Sequence, residues 1–122
     1  MNESAKKIIE SKLESLSKSK FRSSFHLKKR EKAYLESKGM EKIREHAYNL
    51  IRKNISPANP LHDGAQTPMK NHPVFIAQHA TATCCRKCLY KWHKIPLNHE
   101  LTRNEENFIV ELIMAWLTKN KN

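Results

Sequence analysis

An all-α fold is the class this sequence predicts, and three observations carry the prediction. The 122 residues contain only two glycines, too few for the tight turns of a sheet-rich chain. Apolar side chains recur at three- and four-residue spacing along most of the chain, the period of a helix with one buried face. Between Pro73 and Pro96 there is neither a glycine nor another proline, so this stretch reads as one long helix with proline in its first turn. Its middle is apolar almost all the way round (Ala77, Ala80, Ala82, Cys84, Cys85, Cys88, Leu89, Trp92), the pattern of a helix enclosed by others. The expected architecture is a compact bundle of four main helices around a buried central helix over about 73–92. A loosely packed N-terminal helix is expected in addition, with residues 1–20 forming an extension and 21–119 a single helical domain.

Taken in order, the chain opens with a helix over Ser4–Leu16, whose thin apolar stripe is Ile8, Ile9, Leu13 and Leu16. The run SLSKSK after it reads as a linker. Phe21 and Phe25 bracket Arg22, Ser23 and Ser24 and are expected to pin a loop to the core, though aromatics in a basic setting also stack bases. Lys28–Lys38 forms a short helix that ends at Gly39, the residue type favoured at a left-handed cap. Met40–Asn54 follows, with Met40, Ile43, Ala47, Leu50 and Ile51 on one face. Three prolines and Gly64 make 56–71 the one long loop. After Pro96, Thr102 and Glu105 have the spacing of a capping box, and the last helix runs to about Lys119 with a broad apolar face.

Composition narrows the function. At 39% hydrophobic and 29% charged residues the chain is globular. No run reaches the roughly 20 apolar residues that span a bilayer, so no membrane role is expected. The N-terminus lacks the apolar core of a secretory signal, and three cysteines, two adjacent, are not a disulfide framework. A reducing cytoplasm is the expected compartment. The formal net charge is +11, and its distribution is uneven. Residues 18–30 and 64–99 are both acid-free, basic zones. A polyanion is the expected partner, DNA or RNA, with Arg22, Lys28, Lys29, Arg30, Arg86, Lys87 and Lys91 on its phosphates. An adaptor whose basic face meets an acidic protein partner is the further alternative.

Special chemistry is expected where cysteine and histidine gather, in His72-x6-His79-x4-Cys84-Cys85-x2-Cys88-x4-His93. Thiolates and imidazoles are the donors zinc prefers, so Cys84, Cys85, Cys88 and His79 form the candidate metal set. On a continuous helix with His79 at zero, Cys84, Cys88 and Cys85 fall at roughly 140°, 180° and 240°. One straight helix therefore cannot bring His79 and Cys88 to the same ion. A metal site demands a break near Thr83–Cys85, or a histidine such as His46 from another element. Without metal, small buried thiols simply fill space, or Arg86 and Lys87 activate Cys85 as a nucleophile. A small metal- or thiol-dependent enzyme is the main alternative, from another class, with Asp63, Gln66 and His79 lining a pocket between the 62–67 loop and the central helix.

The run HPVFIAQHATATCCRKCLYKWH resembles the small bacterial and phage family catalogued as domain of unknown function 4186. The likeness extends through FRSSFHLKKREKAYLESKGMEKIREHAYNLIRKNISPANP, DGAQTPM and LTRNEENFIVELIMAWL, about residues 21–118. It implies no activity and transfers no functional residue.

Overall fold

The computed structural model describes residues 2–122 and contains only helices among them. These are α1 (Glu3–Ser17), α2 (Lys29–Lys38), α3 (Met40–Asn54), α4 (Pro73–Ala80), α5 (Arg86–His93) and α6 (Arg103–Asn120), with one 3-10 turn, Arg22–Ser24, between α1 and α2.

Local chemistry accounts for most boundaries. Asn2 caps α1 by accepting the Ala5 N–H at 2.8 Å. The Thr102 hydroxyl accepts from the Glu105 N–H at 3.1 Å while the Glu105 carboxylate accepts from the Thr102 N–H at 2.9 Å, the reciprocal box read from the sequence. Gly39 joins α2 to α3 at φ +84° and ψ 154°. The positive φ is as expected, but the ψ lies outside the left-handed helical region, in territory that essentially only glycine enters.

The fold class is as the sequence predicts, whereas the spine is not. α6 buries Ile109, Val110, Leu112, Ile113, Met114 and Leu117 and packs against α1, α3 and α4. It is the element that α1, α3 and α4 share. α1 buries Ile9, Leu13 and Leu16 and meets Leu112, Phe108 and Trp116, so the N-terminal helix is docked on the bundle rather than loosely attached. The expected helix over 73–92 is broken in two. α4 is almost wholly buried, but α5 exposes Lys87, Tyr90 and Lys91 and lies at the periphery.

The break is a Schellman cap. Ala82 sits at φ +58°, the Ala82 N–H reaches the His79 carbonyl at 3.5 Å, and the Thr83 N–H donates to the Gln78 carbonyl at 2.9 Å. Buried side chains reinforce the reversal. The Thr81 hydroxyl donates to the Ala77 carbonyl at 2.7 Å, and Gln78 Nε2 donates to the Thr83 carbonyl at 3.2 Å. Alanine carries no glycine signal, which is why the period of the apolar residues runs through the break unmarked.

Candidate metal centre

The new helix, α5, starts with chemistry of its own. Cys85 is its N-cap, and its sulfur accepts the Cys88 N–H at 3.4 Å. Asp63, from the long loop, accepts the Arg86 N–H and the Lys87 N–H at 3.0 Å each. Its carboxylate thus fills the positive end of α5. Thr67 ties the same loop to the bend by donating to the Cys84 carbonyl at 2.8 Å.

Turning the chain between α4 and α5 brings the three thiols together. The sulfurs of Cys84, Cys85 and Cys88 all lie within 4.8 Å of one another, and those of Cys84 and Cys88 are 3.7 Å apart. With zinc–sulfur bonds near 2.3 Å, the edge of a tetrahedral site is about 3.8 Å. The donor set and spacing fit one divalent soft ion, and the three cysteines could hold a metal.

Arg22 closes the cluster from the 3-10 turn. Its Nη2 donates to Cys88 Sγ at 3.2 Å, and its Nη1 donates to Cys84 Sγ at 3.7 Å and to the His79 carbonyl at 2.7 Å. Hydrogen bonds from Cys84 and Cys85, followed by the Arg22 guanidinium, hold the Cys88 thiol far below its usual range against the opposing effect of burial. Cys84 moves the other way: its hydrogen bonds with Cys85 and Cys88, and then burial, keep it a thiol. Without metal, the cluster carries its negative charge on Cys88, facing Arg22.

His79 does not join the sulfurs. Its Nε2 lies 3.0 Å from the Thr67 carbonyl and 3.1 Å from the Pro68 carbonyl, so it is the protonated, donating nitrogen. Its ring stacks on Phe25 with centroids 5.4 Å apart. It gives the cluster its main-chain carbonyl through Arg22, not its imidazole. The break that a metal site requires is present, but the fourth candidate ligand points elsewhere.

The other weak catalytic candidates also have structural partners. Asp63 is a helix cap, and Gln66 Nε2 orients its Oδ1 while Gln66 Oε1 accepts the Gly64 N–H. A cavity of about 470 Å³ lies away from this loop, between α1, the 3-10 turn and the end of α6, lined in part by Leu13, Arg22, Phe25 and Trp116.

Two of the seven residues expected on phosphate are buried. Arg22 is spent on the thiols. Arg86 is 2% exposed and donates to five carbonyls: Ile55, Ser56 and Pro57 from Nη1, Pro96 and His99 from Nη2. Neither can reach a nucleic-acid backbone. Lys28, Lys29, Arg30, Lys87 and Lys91 are exposed. The available signal for Arg86 was its position, a charge directly after two cysteines and the apolar run that precedes them. Such a residue must either face solvent or collect main-chain acceptors.

A family model described as Domain of unknown function (DUF4186) matches residues 10–118, nearly the whole chain, and the chain belongs to that family. The match takes in the second half of α1 as well as the thiol cluster. No solved structure matches the chain.

Proposed function

Starting from that membership, we propose that the chain is a small metal-thiolate domain in which Cys84, Cys85 and Cys88 hold one zinc ion, and that its exposed basic side chains bind the nucleic-acid backbone. The observation that carries the first half is the convergence of three sulfurs at single-ion spacing, with the Cys85–Cys88 pair at a helix N-terminus. The bound ion draws together the 3-10 turn, the α4–α5 bend and, through Thr67, the long loop. Free thiols in such a cluster suit a reducing compartment, the cytoplasm.

Elemental analysis of the purified protein tests this reading. Near-stoichiometric zinc that disappears in Cys88→Ser is the expected result. A folded, metal-free protein that refuses zinc under reducing conditions sinks it.

The second half rests on charge without partners. Among the described residues, Lys28, Lys29, Arg30, Lys87 and Lys91 form no ion pair, although Lys18, Lys42, Arg44 and Arg52 do. Binding of this kind weakens steeply with salt, with a logarithmic slope of about 0.9 for each phosphate neutralised on duplex DNA. Fluorescence anisotropy with labelled duplex DNA and RNA at low and moderate salt measures it. Replacing Lys28, Lys29 and Arg30 with glutamate is expected to abolish binding while leaving the metal content unchanged. No affinity at low salt removes nucleic acid from the reading and leaves the metal site standing.

A further inference from the structure

Three sulfur donors leave a four-coordinate divalent ion one ligand short. Most side-chain donors flanking the triad in the sequence hold other partners. His79 Nε2 is held by the Thr67 and Pro68 carbonyls and His93 Nε2 by the Thr81 carbonyl at 2.8 Å, while His93 Nδ1 is buried without a hydrogen-bond partner but stands outside the group of sulfurs at ligand spacing. Both oxygens of Asp63 accept main-chain N–H groups of α5. Among the described residues, no histidine, aspartate or glutamate joins the three sulfurs at ligand spacing. Cys84 and Cys85 are buried, but Cys88 is partly exposed, so the cluster can be approached from solvent at Cys88.

Charge limits what can occupy the remaining position. A divalent ion with three thiolates carries one net negative charge. Arg22, only 7% exposed, supplies the one guanidinium that touches the sulfurs. Ion, thiolates and Arg22 together are neutral. A fourth anionic ligand leaves a buried negative charge without a counter-ion, which is strongly unfavourable, whereas a neutral donor adds no charge. Arg86, the cation next to Cys85 in the chain, spends its guanidinium on main-chain carbonyls rather than on a sulfur. Among neutral donors, zinc prefers imidazole-type nitrogen.

We propose, resting on the metal reading above, that the site at Cys84, Cys85 and Cys88 is open: its fourth position holds exchangeable water and accepts a neutral ring nitrogen from an incoming ligand. The triad is then a ligand-binding centre as well as a clasp for the fold. Arg22 selects for neutral donors by already matching the charge of the metal–thiolate complex.

Cobalt(II) in place of zinc, in the full chain, makes the position visible. Imidazole, added at a pH where it is neutral, is expected to shift the visible ligand-field bands and saturate, while azide at equal concentration leaves them in place. His79→Gln and His93→Gln are expected to keep both the starting spectrum and the imidazole response. X-ray absorption of the zinc protein without added ligand is expected to show three sulfurs and one light atom, with no imidazole scattering pattern. A pattern of internal imidazole, a fourth sulfur, or cobalt bands that ignore imidazole overturns the open position while leaving the three-thiolate metal site intact. An equal response to azide overturns the charge argument. Failure of cobalt to give thiolate charge-transfer absorption overturns the metal reading itself, and the open position with it.

Discussion

His72 shows how one side chain can fix both a helix end and an acid response. Its Nδ1 accepts the Val74 N–H at 3.0 Å as the N-cap of α4, so that nitrogen carries no proton. The proton is on Nε2, which donates to His46 Nδ1 at 3.1 Å. Burial, and then the neighbouring His46, lower the pKa of His72 to about 4. Burial lowers His93 in the same direction. The sign follows from which state takes protons first. Below the ordinary histidine value, about 6.5, the unfolded chain protonates while folded His72 does not, so stability falls as pH drops and levels off near the folded value. After allowance for solvent screening, His72 accounts for about 1–2 kcal/mol of that loss between about pH 6.5 and 4. Asparagine is also a good N-cap. Denaturation of His72→Asn across this range is expected to show a shallower decline than wild type. An unchanged pH profile would place the acid sensitivity elsewhere.

At the scale of elements, the bend between α4 and α5 and the anchoring of α5 decide where the cysteines go. Ala82 occupies a left-handed conformation with no side-chain exposure. Ala82→Gly relieves backbone strain and is expected to stay within about 1 kcal/mol of wild type, whereas branched Ala82→Val is expected to cost more than about 2 kcal/mol. Chemical denaturation measures both. Arg86→Met removes one guanidinium and strands the carbonyls it collects, for an expected loss of about 3–5 kcal/mol, while Lys87→Met next to it is expected to be nearly silent. These two positions also mark where the sequence stopped being legible. Periodicity located α1, α2, α3 and α6 to within a residue or so, and two junctions were also written locally, in Gly39 and in the Thr102–Glu105 capping box. The α4–α5 break is local too, but it uses alanine and two threonines, which are equally at home inside a helix. Arg22 and Arg86 could not be told from surface cations, since their partners lie far along the chain and are mostly main-chain carbonyls. The cysteines were legible as possible ligands, and the helical angles identified the break they needed, but not its geometry.

For the molecule as a whole, the triad is the point where separate parts of the chain meet. Arg22 arrives from the 3-10 turn that contacts both α1 and α4, and Asp63 and Thr67 arrive from the long loop. Metal bound only by the folded form stabilises it by mass action, about 4 kcal/mol when free metal is 1,000 times its dissociation constant. Chelator is therefore expected to lower the thermal midpoint of the wild-type protein and leave that of Cys88→Ser unmoved. Equal midpoints with and without chelator would count against a metal linked to folding. The reversal at 81–85 also bears on how related chains should be aligned. One residue inserted between Arg86 and Cys88 turns Cys88 by about 100° around the axis of α5 and carries the third sulfur off Cys84 and Cys85. The interval from Cys84 to Cys88 therefore cannot change length, so gap placement there is a sharper test of a shared centre than the mere presence of cysteine.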